Sequence, residues 1–371
     1  MFVAWRDLRF AKGRFTLMGT VIVLITLLVG LLSGLTAGLA RENISALTGL
    51  PADRLAFAAP PDGQSVSFTN STVTASQWRA WAERPGVESA APLGIRTLNG
   101  VAGDRTAALS AFGTEPGTGL APESGRLGPG RAVLSASAAE ELGVTTGDRV
   151  RLGPLTVTVA AIAGDASYSH TPVVWTSLDD WQKIGVPGVP GVPGGSGGAG
   201  AREAQATVIA LTGSGADWAA GDRAAGTAAR TVDEALGAIG SYQAENGSLQ
   251  LMRGFLFVIS ALVMGAFFTV WTIQRSADVA VLKALGASTP YLLKDALGQA
   301  VVMLGAGTLL GTGFAVGIGA LISGGDVPFV LGPLTVLGPA AVMIVLGVIG
   351  SALSIRRITA VDPLTALGSA R

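Results

Sequence analysis

Long uncharged apolar runs alternate with polar segments along the chain. Residues 15–40, 254–273, 296–322 and 334–353 are each about as long as the roughly 20 helical residues that cross a hydrocarbon core of roughly 30 Å. Four transmembrane α-helices are therefore expected. Between the first and second run, residues 41–253 contain no such stretch and carry turn signals and mixed periodicities. The alternation in 149–162 (RVRLGPLTVTVAAI) reads as a hairpin about Gly153-Pro154. Thr74–Glu83, Ser135–Leu142 and Ser177–Ile184 read as short helices, each opened by a Ser or Thr able to cap it. The fold class expected is a membrane protein with four transmembrane α-helices and a large α+β extracytoplasmic domain between the first and second. Inside that domain, residues 185–201 repeat Gly-Val-Pro and then turn glycine-rich, a composition expected to form a disordered loop.

The connections between spans carry their own patterns. Residues 1–14 interleave Phe2, Trp5 and Phe10 with Arg6, Arg9, Lys12 and Arg14, which suits an interfacial helix against lipid headgroups. Residues 274–295 hold Arg275, Asp278 and Lys283 beside Val279, Leu282 and Leu285 at helical intervals, followed by Gly286 and Pro290. That is a short amphipathic helix between two spans, offering its apolar side either to a protein partner or to lipid headgroups. A short outer loop (323–333) and a tail (354–371) complete the chain. Gly30, Gly34 and Gly38 recur every fourth residue in the first span, a small-residue stripe that marks a close helix contact or a dimer face, unless it only reflects the abundance of glycine.

Composition agrees with the pattern. Of 371 residues 49% are hydrophobic and 13% charged, and the mean hydropathy is +0.52, whereas soluble domains carry about 25% charged residues. The amino-terminal segment, the 274–295 connection and the tail hold ten basic and four acidic residues, a net of +6, while the large domain nets −5. Short connections rich in Lys and Arg stay in the cytoplasm, so both termini and the 274–295 helix are expected inside, with the domain outside a plasma membrane.

The chemistry of the chain is sparse. No GxxxxGK[ST] phosphate loop occurs, the spans essentially lack Asp, Glu, Lys and Arg, and one histidine makes a catalytic triad a poor fit. The chain is not expected to be an enzyme, to hold an intrinsic cofactor or metal, or to bind nucleic acid. With no cysteine and only His170, the familiar zinc ligand sets are ruled out.

The segment RSADVAVLKALGAS (275–288) resembles the coupling-helix signature of permeases of the MacB/FtsX/LolC superfamily of ABC systems. The tail IRRITAVDPLTALG (355–368) resembles that family's closing motif, and GRAVLSASAAEELGVTTGDRVRL (130–152) is similar to a MacB-type segment. The amino-terminal stretch FAKGRFTLMGTVIVLITLLVGLLSGLTAGL further resembles actinobacterial haem-exporter permeases of the HrtB type. The resemblance implies a homodimer in the lipid bilayer, bound to a separate ATPase that holds ATP and Mg²⁺ and drives the outer domains by mechanotransmission. It assigns ATPase coupling to Arg275, Asp278, Val279, Leu282, Lys283, Leu285 and Gly286. It makes an amphipathic or hydrophobic molecule, haem among them, a possible cargo. A haem site needs an axial donor, and Glu245, Met252 and Glu42 are the candidates, with His170 and Tyr168 as a second set. The alternative is an FtsX-like signalling scaffold that regulates a cell-wall hydrolase without transport.

Overall fold

The computed structural model describes residues 12–185, 203–274, 281–283, 285–322 and 327–359. The elements follow in chain order. Helix α1 (Lys12–Thr48) leads into β1 (Arg54–Ala58), β2 (Val73–Thr74), α2 (Ala75–Ala82), β3 (Val87–Ala102), β4 (Arg105–Thr114) and β5 (Arg131–Leu134). Then come α3 (Ala136–Leu142), β6 (Arg149–Leu152), β7 (Leu155–Ile162), β8 (Ser167–Tyr168), β9 (Thr171–Ser177) and α4 (Leu178–Lys183). After β10 (Gln205–Ala206), β11 (Val208–Gly213), α5 (Trp218–Ala225), β12 (Thr227–Thr231) and α6 (Val232–Leu236), the long helices α7 (Gly240–Gln274), α8 (Thr289–Ile322) and α9 (Pro333–Thr359) follow.

Two compact units divide the chain, Met1–Leu39 with Gly247–Arg371, and Ala40–Asn246. In the first, four helices are long and apolar enough to cross a membrane, within Thr16–Thr48, Gly240–Gln274, Pro290–Ile322 and Pro333–Ser354. Met18, Ile22, Val29, Met264, Phe268, Leu304 and Met343 form its packed centre, while Phe255, Leu262, Leu309, Leu321 and Leu334 stay exposed. An apolar exterior around an apolar centre is stable where lipid is the solvent. Gly30 faces α8 of the same chain, and Gly34 and Gly38 face the segment that follows it. A Cβ at Gly30 would lie 2.8 Å from Ala315 Cβ, one at Gly34 would enter the Phe329 ring, and one at Gly38 would strike the Pro328 backbone. The Val330 amide also donates to the Gly34 carbonyl at 3.1 Å.

The second unit is an α+β domain built on a ten-stranded sheet in the order β12-β1-β11-β3-β4-β9-β5-β7-β6, with β8 beside β9. Most pairs are antiparallel, β4–β9 and β5–β7 are parallel, and Gly100–Val101 of β3 pair back to β6, so six strands close on themselves. The 149–162 hairpin forms with Leu152 opposite Leu155 and Gly153 at φ +58°, a conformation that glycine adopts without strain. Helices α2, α3 and α4 start at Thr74, Ser135 and Ser177, the positions read as caps from the sequence, and the Ser135 and Ser177 hydroxyls accept from Ala138 and Asp180 amides. Two apolar cores flank the sheet, one around Trp81, Leu109 and Trp181, the other around Leu47, Phe57, Phe112 and Trp175.

The helices overrun the runs expected from composition. Helix α1 continues past residue 40 to Thr48, and α7 begins at Gly240, well before 254. Loss of apolar character does not end a helix when no proline intervenes, and the 40–48 extension buries Ala46 and Leu47 in the core of the α+β unit. The expected interfacial helix (1–14), the 185–201 loop and the end of the tail fall largely on residues outside those described.

Candidate functional site

Strands β8 and β9 form a two-residue hairpin, with Tyr168 opposite Thr171 and Ser169-His170 as the loop. Both loop residues have positive φ, 50° and 62°. Such primed turns match the twist of the flanking strands but favour Asn-Gly, so Ser-His is held here against its backbone preference. What holds it is the end of α1. The Ser169 amide donates to the Asn43 carbonyl at 3.0 Å and the His170 amide to the Glu42 carbonyl at 3.3 Å. The Ser45 hydroxyl clasps Ser167, accepting from its amide at 2.9 Å and donating to its carbonyl at 3.2 Å.

This anchoring sets the imidazole between two carboxylates from different helices. His170 Nε2 lies 2.8 Å from Glu245 Oε2 on α7, and Nδ1 lies 3.6 Å from Glu42 Oε2 on α1. A carboxylate only accepts, so Nε2–H is the donor to Glu245. Asn43, 1% exposed, completes the arrangement: its Nδ2 donates to Glu245 Oε2 at 3.2 Å and its Oδ1 accepts from Ser241 Oγ at 3.0 Å. Ser241 Oγ lies 2.8 Å from Ser169 Oγ, which returns the network to the turn. Nearby on α3, the Glu141 carboxyl is held above the usual carboxylate range, first by desolvation and then by Glu140 and Glu42. Among the described residues no group of three His, Cys, Asp or Glu could hold a bare metal ion.

The structure thus brings together Glu42, Glu245 and His170, which the sequence singled out separately. Asn43, Ser241 and Ser169 were not anticipated. Asn43 had a signal of its own, an asparagine in a helix interior that needs a side-chain partner. Tyr168 belongs elsewhere: 7% exposed, it packs edge-on against Phe68 and Phe112, and burial pushes its phenol well above the usual range. Met252 follows Glu245 by seven residues on α7, is half-exposed and belongs to the other unit.

Of the coupling residues, Arg275, Asp278 and Val279 lie outside the described residues. Residues 281–283 are helical, and the turn closes with Ala287 N donating to Leu282 O at 2.9 Å and Gly286 N to Lys283 O at 3.0 Å. Gly286 has φ +95°, the left-handed stop that favours glycine. Leu285, beside it, is 80% exposed.

Four apolar helices and an α+β unit between the first and second define a multi-span membrane protein with a large inserted domain. Residues 15–228 match the MacB-like periplasmic core domain and residues 251–363 the FtsX-like permease C-terminal domain. The chain belongs to this MacB-like, FtsX-like family of ABC transporter permeases. It is 28% identical to a protein of Staphylococcus haemolyticus described as a hemin transport system permease protein, HrtB, over 99% of each chain. A Staphylococcus epidermidis protein of the same description is 26% identical over 99% of each chain. An uncharacterised ABC transporter permease of Mycobacterium bovis is 26% identical over 77% of this chain and 76% of its own.

Proposed function

We propose that the chain is the permease subunit of an ABC exporter that moves an amphipathic, hydrophobic cargo, haem by preference, out of the membrane, with ATP hydrolysed on a separate subunit. The observation that carries this reading is the likeness, over 99% of both chains, to permeases described as hemin transport proteins. The scaffold alternative draws no support from those relatives, whose descriptions are of transport. In this reading the subunit is not itself an enzyme, and two copies pair in the plasma membrane with both termini and the 274–295 segment inside, as the +6 charge excess there favours.

Glu42, Glu245 and His170 form the proposed cargo site. Carboxylates from two helices and an imidazole from the β8–β9 turn suit capture of an iron porphyrin, and the buried Asn43 orients Glu245 for it. Met252 is proposed as a separate donor on α7. At the other end, Val279, Leu282 and Leu285 are proposed as the apolar residues that enter a groove on the ATPase, with Arg275 and Lys283 at its rim and Asp278 and Gly286 completing the coupling set. The spans act as levers and carry the ATPase movement outward.

The test is ATP hydrolysis by the permease reconstituted in vesicles with its ATPase subunit. Hemin is expected to stimulate hydrolysis several-fold in the wild-type complex. A complex that hydrolyses ATP at a basal rate indifferent to hemin would overturn the reading.

A further inference from the structure

A second feature of the α+β unit has no part in the transport reading. A cleft of about 440 Å³ opens there, within the range of roughly 300–1,000 Å³ that small-molecule sites occupy, and none of Glu42, Glu245 or His170 lines it. Phe68, Tyr168 and Trp181, all at least nine-tenths buried, back a lining that is otherwise largely Ser, Thr and Gln. Arg96, half-buried, also lines it.

The guanidinium is stacked on an indole. Arg96 Cζ lies 4.6 Å from the centre of the Trp181 ring, and Nη1 lies 3.5 Å from the Trp181 carbonyl oxygen, at the limit of a hydrogen bond. Among the described residues no carboxylate pairs with it. Burial lowers its pKa, yet an arginine in a protein stays charged, so most of its five N–H donors are left to a ligand. The platform beneath it is rigid, because a Cβ at either Gly94 or Gly113 would run into Trp181. Stacking on indole occupies the face of the guanidinium and leaves its edge, the geometry that forks onto a planar carboxylate.

The polar rim sharpens the choice. The hydroxyls of Ser71 and Thr207 are committed internally, the first to the Thr207 carbonyl at 2.6 Å and the second to the Ile95 amide at 2.8 Å. The Tyr168 hydroxyl has no hydrogen-bond partner among the described residues. Thr69, Thr72, Thr97 and Gln205 complete the rim, so the cleft offers one cation, neutral polar groups and three aromatic side chains, a set that suits a single negative charge on a small apolar body. A lone cation does not match a polyanion.

The geometry points to a binding site for a small amphipathic carboxylate, its carboxylate forked onto Arg96 and its apolar body against Phe68, Tyr168 and Trp181. This inference does not rest on haem transport.

The test uses the full chain in lipid nanodiscs and phenylacetate as the probe, followed by saturation-transfer NMR titration. Phenylacetate is expected to bind saturably, and acetate and 2-phenylethanol, which lack the apolar body or the charge, about 10-fold more weakly. Arg96→Gln is expected to weaken phenylacetate by about 10-fold or more, and Arg96→Lys to recover little of it, because an ammonium cannot fork. His170→Ala is expected to leave phenylacetate binding unchanged, which separates this site from the cargo site. Absence of saturable binding to the wild-type chain overturns the inference, as does unaltered affinity in Arg96→Gln. If Arg96→Gln melts well below the wild type, Thr72→Trp at the exposed rim decides: blocked binding supports the site, and retained binding overturns it.

Discussion

His170 Nε2 stands 2.8 Å from Glu245 Oε2, tying a strained hairpin turn to a helix 75 positions further along the chain. Their side chains are 30% and 43% exposed, so solvent screens the attraction. Pairs of this exposure contribute about 0.2–1 kcal/mol. His170→Ala and Glu245→Ala are therefore expected to fold and to melt within a few degrees of the wild type. A loss of several kcal/mol in thermal or denaturant unfolding would make the cluster a structural keystone instead of a site.

The His170 backbone gives a second prediction. At φ +62° a β-carbon costs about 1–2 kcal/mol, which glycine does not incur. His170→Gly and His170→Ala both remove the imidazole, so His170→Gly should be the more stable of the two by about 1 kcal/mol. Unfolding of the two variants under the same conditions checks the sign. A less stable glycine variant would mean that the turn is not under strain.

Within the membrane unit, Gly34 lies against the Phe329 ring with no room for a Cβ. Gly34→Val should destabilise by about 1–3 kcal/mol through overpacking. Phe329→Ala should remove most of that penalty, so the double mutant will not be additive. A double-mutant cycle on melting in detergent gives the coupling energy, and additive effects would place the contact elsewhere.

Much of this architecture was legible because its signals are local. An uncharged run such as 254–273 announces a span, and alternation about Gly153 announces a hairpin. Helix ends were less legible. Residues 41–48 and 240–253 look polar, yet they stay helical because their backbone bonds are internal and Ala46 and Leu47 find a core. Closure of the sheet through β3 and β6 was not legible at all, since pairing between distant strands leaves no local mark. The site was half legible. Glu42, Glu245 and His170 each stood out by chemistry, but their convergence depends on the Ser169-His170 turn bonding to the carbonyls of α1, a long-range contact without a sequence signature.

Glu141 supplies a pH dependence. Desolvation, then Glu140 and Glu42, raise its folded-state pKa. For an acid, a raised folded pKa costs nothing below the unfolded value, near pH 4.3, and costs stability as pH rises above it. Glu141→Gln is therefore expected to stabilise the protein at pH 7 and to have no effect near pH 3.5. The side chain is exposed, so screening keeps the gain below about 1 kcal/mol. Equal effects at both pH values would remove the electrostatic explanation.

Leu285, 80% exposed beside the Gly286 stop, tests the coupling end. Leu285→Asp should leave melting unchanged, since nothing packed is lost, while abolishing co-purification of the ATPase and the hemin stimulation of its activity. Retention of both would remove the coupling role.

Cargo binding is proposed to reside in the cluster around His170. Hemin titrated into the purified permease, followed by the Soret band, tests it most directly. A saturable Soret shift is expected in the wild type, lost or weakened at least about 10-fold in Glu245→Ala and in the Glu42→Ala, His170→Ala double variant, with Met252→Ala testing the proposed methionine donor separately. No shift in the wild type, or the same shift in every variant, would contradict it.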